Sequence, residues 1–208
     1  MSVDERMVHD IVQKVMANMQ ISGSVSGMHG VFKDMNDAIN ASIEAQKKVC
    51  TMTLDQREQI ISLIRKKTHE NAEILANMGV NETGMGNVGD KILKHHLTAD
   101  KVPGTEDIST IAWSGDRGLT LVEMGPFGVI GAITPATNPS ETVICNCIGM
   151  LAGGNTVVFN PHPNAKKTTI YTINMINEAS IEAGGPDNIA VTVEAPTLDT
   201  SAIMMKHP

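Results

Sequence analysis

Gly125-Pro126-Phe127-Gly128-Val129-Ile130-Gly131-Ala132-Ile133-Thr134-Pro135-Ala136-Thr137-Asn138-Pro139 is the stretch on which the reading of this chain turns. The apolar run Val129 to Ile133 is bounded by glycine and proline, which predicts a short buried strand. A polar, proline-bounded loop follows it, with hydroxyls, an amide and free backbone groups. Open α/β sheets bind their ligands at that end of a strand. The pattern then repeats. Gly153-Gly154-Asn155-Thr156-Val157-Val158-Phe159 predicts a second strand, and Asn160-Pro161-His162-Pro163 a second polar loop. The segment between, Ser140 to Ala152, has the length of a crossover helix, so the unit reads as βαβ. Ala165 to Glu182, with Asn164 as its N-cap, predicts a second crossover helix. Gly184-Gly185-Pro186 closes it, and Ile189 to Val193 is the third strand. The expected fold is α/β, part of a doubly wound, Rossmann-like sheet.

Upstream the pattern is helical. Asp34 to Val49 places Met35, Ala38, Ile39, Ile43 and Ala45 on one face. Thr53 with Gln56 three residues later is a capping box opening the next helix. That helix is expected to stop at Gly79. Asn81-Glu82-Thr83-Gly84-Met85-Gly86 then reads as a turn to a helix over Val88 to Ala99. His95 and His96 are neighbours about 100° apart on that helix and cannot easily share a metal, so no metal is expected and both should be partly exposed. Gly115-Asp116-Arg117-Gly118 is a turn leading into a strand, Leu119 to Glu123.

Composition narrows the class. Of 208 residues 41% are hydrophobic and only 2% aromatic, so Ile, Val, Met and Ala must fill the core. The net charge of −7, with scattered basic residues, argues against nucleic-acid binding. No apolar run has membrane-spanning length, and no signal peptide is visible. Three cysteines make no disulfide framework, and Cys145 and Cys147 read as inert packing residues of the crossover helix. A reducing, cytoplasmic setting follows.

Residues 1–20 stand apart. Val3, Met7, Ile11, Val15 and Met19 recur every four residues, which predicts an amphipathic helix, with Ser2 and Glu5 as a capping box. Residues 21–31 are rich in Gly and Ser and read as a flexible linker. A tethered helix of this kind is suited to docking in a partner's groove or against another helix.

The two loop motifs resemble those of the aldehyde dehydrogenase superfamily, and within it the CoA-acylating branch. Most of that superfamily has Pro-Trp-Asn-Phe-Pro after the first strand and Lys-Pro after the second. This chain has Pro135-Ala136-Thr137-Asn138-Pro139 and Asn160-Pro161-His162-Pro163, and the similarity runs from about Phe32 onward. The resemblance implies oxidation of a short aldehyde, acetaldehyde or propionaldehyde, to an acyl-CoA, with NAD as cofactor and coenzyme A as co-substrate. It implies residues 32–208 as the N-terminal part of the cofactor-binding domain, with the nucleophilic cysteine in a domain beyond this chain. The oxyanion donor is then Asn138 or Thr137, Asn138 being placed first because an amide is the superfamily's choice. Ile133, Thr134, Pro135, Asn160, Pro161, His162, Gly184 and Pro186 form the implied cofactor-binding set, with Asn160 near the ribose. His162 meets either nucleotide or caps the next helix. The hairpin near Gly115 would help build a homo-oligomer. Residues 3–19 resemble the encapsulation peptides that carry enzymes into the lumen of bacterial microcompartments by contact with shell or core proteins. The alternatives are the aldehyde-oxidising half of a bifunctional aldehyde–alcohol dehydrogenase and a non-catalytic docking fragment.

Overall fold

The computed structural model describes residues 27–208. The expected helix of residues 1–20 and most of the expected linker lie outside the described residues.

The body starts earlier than the linker boundary predicts. The His29 amide donates to Asn174 Oδ1 at 2.8 Å, and Gly30 O accepts from Thr192 N at 2.8 Å. Gly30 has φ +75°, and a Cβ there would lie 2.3 Å from Asn177 Nδ2, so only glycine fits this entry. Strand β1 (Val31–Phe32) follows and is fully buried.

Three helices come next. Asp34 caps α1 (Met35–Val49) by accepting from Asn36 N at 2.8 Å. The Thr53–Gln56 capping box opens α2 (Leu54–Thr83) as expected. This helix runs 30 residues and passes through Gly79 rather than stopping there. Its terminator is Gly84, which takes the left-handed conformation at φ +68° and donates to Val80 O at 2.8 Å. Gly79 keeps helical geometry because packing outweighs the ~1 kcal/mol propensity cost of a mid-helix glycine. Asn87 caps α3 (Val88–Lys101). A hairpin, β2 (Ile111–Gly115) with β3 (Gly118–Val122), then stands out from the body, every residue of both strands exposed.

The remaining chain alternates: β4 (Val129–Thr134), α4 (Pro139–Ala152), β5 (Thr156–Pro161), α5 (Lys166–Glu182), β6 (Ala190–Val193) and α6 (Leu198–Lys206). The parallel sheet has the order β1-β6-β5-β4. Ala132, Val157, Phe159 and Ala190 face one side and meet α4 and α5, with α2 packed beyond them. Val158, Val191 and Val193 face the other side and meet Phe32, α1 and Met204 of α6. Helices on both faces make this half of a doubly wound sheet, and full burial of β5 and β6 explains their lack of polar alternation, whereas β4, expected to be buried, is an edge strand with Gly131 and Ile133 exposed. Fully buried side chains such as Phe159, Ile144 and Ile148 each contribute about 1.5–3 kcal/mol of transfer free energy.

Asn164 is not the N-cap of α5. Pro163–Ala165 form a 3₁₀ turn instead, capped by His162, whose Nδ1 accepts from Asn164 N at 3.1 Å. The amino end of α5 is closed from a distance: the Glu82 carboxylate of α2 accepts from Lys167 N at 2.7 Å and Thr168 N at 2.8 Å.

Candidate functional site

The strands are parallel, so the loops after β4, β5 and β6 emerge at one end of the sheet. In the first, Pro139 occupies the opening turn of α4 and Asn138 is the N-cap residue, but its side chain makes no cap bond. Its Oδ1 instead accepts from Lys94 Nζ at 2.9 Å. An ammonium group only donates, so the amide oxygen must face Lys94 and the Nδ2 hydrogens point elsewhere. They have no partner among the described residues. Thr137 and Pro135 are exposed, and Thr137 O accepts from Lys91 Nζ at 3.1 Å. Ile133 presents 61% of its surface to solvent beside them. Thr134 departs from expectation. It is buried, and its hydroxyl has no partner and cannot face a cofactor; only its backbone takes part, accepting from His162 N at 3.0 Å.

Beneath this loop lies a network of buried polar groups. Lys91 Nζ is 3.4 Å from Glu141 Oε1, with 5% and 6% of the two side chains exposed. The Ser140 hydroxyl is 2.8 Å from His95 Nε2 and 3.2 Å from Glu141 Oε2. His95 Nδ1 is 2.7 Å from Lys91 O, a carbonyl that can only accept. Nδ1 therefore carries a proton, and the single Ser140 hydroxyl proton is shared between Glu141 Oε2 and His95 Nε2. Burial holds its pKa below the ordinary histidine value, with the Glu141 carboxylate pulling the other way. The expectation of two partly exposed histidines thus fails for His95, which is fully buried. The helix turns it towards α4, a contact that neighbour spacing along α3 does not reveal.

The second loop is built differently. Asn160 is buried, and its amide is committed to α6: Nδ2 donates to Ser201 Oγ at 2.6 Å and Thr197 O at 3.3 Å, while Oδ1 accepts from Thr200 Oγ1 at 2.7 Å. Its side chain is therefore not free to meet a ribose, contrary to expectation. Pro161 is buried and His162 exposed. Gly184 and Pro186 do not join this group. They follow α5 and precede β6, which places them at the opposite, amino end of the sheet. The residue that does touch this end of β5 is Thr197, after β6, whose carbonyl accepts from Asn160 Nδ2 at 3.3 Å. It was not among the expected residues, although Pro196 just past a buried strand repeats the signal that marked the first two loops.

A dinucleotide needs exposed loop groups and a place for its pyrophosphate. The exposed surface of Ile133, Pro135, Thr137 and His162 fits the first need. The crossover helices do not meet the second: Glu141 with Lys91 fills the first turn of α4, and Glu82 occupies the amino end of α5. Nor is there a reactive thiol here. Cys147 is buried, its thiol pushed up to about 12 by desolvation. Cys145, expected to be a packing residue, lies on the exposed side of α4 with its pKa raised by partial burial of the sulfur. Among the described residues no group of three or more His, Cys, Asp or Glu is arranged to hold a metal, and no helix is long and apolar enough to cross a membrane.

Residues 16–208 match the model of the aldehyde dehydrogenase family. An acetylating acetaldehyde dehydrogenase of Bilophila wadsworthia is 45% identical over 98% of this chain and 44% of its own length. A propionaldehyde dehydrogenase from the Clostridium phytofermentans fucose utilisation bacterial microcompartment is 73% identical in structural alignment, with TM-score 0.85, over 86% of this chain and 41% of that one. Propionaldehyde dehydrogenase of Rhodopseudomonas palustris, solved with bound propionyl-CoA, is 46% identical with TM-score 0.84, over 86% of this chain and 40% of that one. The chain belongs to the aldehyde dehydrogenase family, and it spans less than half the length of these relatives.

Proposed function

We propose that this member of the aldehyde dehydrogenase family is the N-terminal portion of a CoA-acylating enzyme that oxidises acetaldehyde or propionaldehyde to the acyl-CoA. The observation that carries the reading is the half-buried Asn138 amide, held through its oxygen alone, in a chain 45% identical to an acetylating relative over 98% of this chain.

In this reading a thiolate from the rest of the protein adds to the aldehyde carbonyl, whose oxygen becomes an oxyanion. Asn138 Nδ2 donates to that oxygen, and a prearranged donor of this kind stabilises the charge as it forms. The Thr137 hydroxyl, exposed beside it, is the alternative donor. A nicotinamide dinucleotide bound against Ile133, Pro135 and His162 would supply the hydride acceptor that turns the adduct into a thioester, and the coenzyme A thiol would then take the acyl group and return the enzyme thiol. Ile133 and Pro135 border the nicotinamide end of this surface, with the Thr134 backbone between them. His162, with Pro161 behind it, faces the adenosine end of whichever nucleotide is bound. NAD is the nicotinamide cofactor in this reading, and Asn160, committed to α6, does not bear on that choice. The Rhodopseudomonas palustris relative, solved with bound propionyl-CoA, supports coenzyme A as co-substrate.

The exposed hairpin, with Trp113, Leu119 and Leu121 uncovered, supports assembly into a homo-oligomer. Residues 3–19 dock the enzyme to shell or core proteins inside a cytoplasmic microcompartment, a reading supported by the compartment named for the Clostridium relative. A fluorescent protein fused to residues 1–20 should enter such compartments, and the Ile11→Asp, Val15→Asp double variant should stay outside.

The activity is tested by assaying the complete enzyme and this chain alone with each aldehyde, NAD and CoA. The complete enzyme should form acyl-CoA and NADH in equal amounts, and this chain none. Turnover by the chain alone that is abolished by Cys145→Ser or Cys147→Ser would overturn the assignment.

A further inference from the structure

Lys91 and Lys94 stand three residues apart on α3, hence on one face of the helix, and they hold consecutive residues of the first loop. Lys91 Nζ donates to the Thr137 carbonyl at 3.1 Å, and Lys94 Nζ to Asn138 Oδ1 at 2.9 Å. The two lysines differ in setting. Lys91 is buried and tied to Glu141, so its charge is matched and its place fixed. Lys94 is exposed and makes no ion pair among the described residues; its hydrogen bond to Asn138 is its defining contact.

We propose that Lys94 is a positioning residue that turns the Asn138 amide outward and polarises it for donation, while Lys91 fixes the backbone on which that amide turns. The proposal rests on Asn138 being the oxyanion donor. An asparagine side chain can otherwise flip, presenting its oxygen where a donor is needed. The ammonium group of Lys94 accepts nothing, so only one orientation satisfies it. The same bond draws electron density towards Oδ1 and leaves the Nδ2 hydrogens more positive, because hydrogen bonds through a shared group reinforce one another. No bond to Asn138 within the loop does this work: as N-cap of α4 its side chain makes no cap bond.

The test is a mutant cycle in the complete enzyme. Asn138→Ala should lower kcat by about 10²–10³, as loss of one oxyanion donor does. Lys94→Met should lower kcat about tenfold with KM for aldehyde little changed, the signature of an interaction made in the transition state. Lys94→Arg, which keeps a charged donor, should restore most of the rate. Lys94→Gln, which keeps a donor without charge, should fall between, separating orientation from polarisation. In the Asn138→Ala background Lys94→Met should have no further effect. Urea unfolding of Lys94→Met should match wild type, because the side chain is exposed. Wild-type kcat in Lys94→Met, with Asn138→Ala impaired, would overturn the role of Lys94 alone. An equal loss from Lys94→Met in both backgrounds would also overturn it, since Lys94 would then act by another route. Wild-type kcat in Asn138→Ala would instead remove the reading on which the proposal rests.

Discussion

The loops after β4 and β5 start from similar material, each with an asparagine followed by a proline near the carboxyl end of a parallel strand. Their side chains have opposite fates. Asn138 is held by one lysine on its oxygen and has no partner on its Nδ2 among the described residues. Asn160 is closed on both ends by Thr197, Thr200 and Ser201. The foundations differ as well. The first loop rests on a buried ion pair with a buried neutral histidine beside it; the second rests on neutral hydrogen bonds to the start of α6. One asparagine is therefore available for chemistry and the other is a strut, and residue type alone does not distinguish them.

The sharpest way to break this comparison is to remove its charged foundation. Lys91→Met should destabilise the fold by about 3–5 kcal/mol, because Glu141 is left buried and unpaired. The double variant Lys91→Met, Glu141→Leu should recover much of that loss in urea titrations. Equal stability of single variant and wild type would show that the pair is not desolvated.

Removing the neutral foundation should cost less. Asn160→Ala should cost about 1–3 kcal/mol, the range for stranding buried hydrogen-bond partners. Asn160→Lys should also destabilise, since it buries a charge and breaks the bonds to α6, and the NAD to NADP ratio of kcat/KM should not move. A gain in NADP use with stability intact would show that residue 160 faces the ribose after all.

A third effect is graded by pH. The pKa of His95 is lowered in the fold by burial, so below about 6.5 the unfolded chain takes up a proton that the native state resists. The stability tied to neutral His95 is present above pH 6.5 and declines as pH falls towards the folded pKa, with a slope of at most about 1.4 kcal/mol per pH unit. His95→Gln should flatten that slope, and an unchanged slope would assign the acid sensitivity to other groups.

The smallest effect tests the floor under Lys91. A Cβ at Gly79 would meet Lys91 Cδ at 3.8 Å, an ordinary contact, in a helical conformation that alanine accepts. Gly79→Ala should therefore stabilise by about 0.4–1 kcal/mol, read as a higher midpoint of thermal unfolding. Destabilisation would mean that Lys91 needs the open space.

What could be read directly from the residues was what neighbours along the chain decide. The strand–helix–strand alternation from Val129 to Val193 follows from apolar runs broken by Gly and Pro, and the Thr53–Gln56 capping box closes over three residues. The hairpin about Gly115 and Gly118 is equally local. The stop expected at Gly79 was local reasoning that failed, because helix propensity is weaker than the packing of a long helix across α5. The cap expected from Asn164 failed because Glu82, 85 and 86 residues before Lys167 and Thr168, accepts from their amides instead.

Only the tertiary structure decided which polar groups remain available. Thr134 and Asn160 looked free to meet a cofactor and are buried; His95 looked exposed and is buried; Gly184 and Pro186 lie at the wrong end of the sheet. The physical reason is the range of the interactions. Periodicity and capping act over a few residues and are written in consecutive positions. The bonds that bury Asn160 and His95 span 41 and 45 residues, and a hydrogen bond at that separation exists only once the strands and helices have packed.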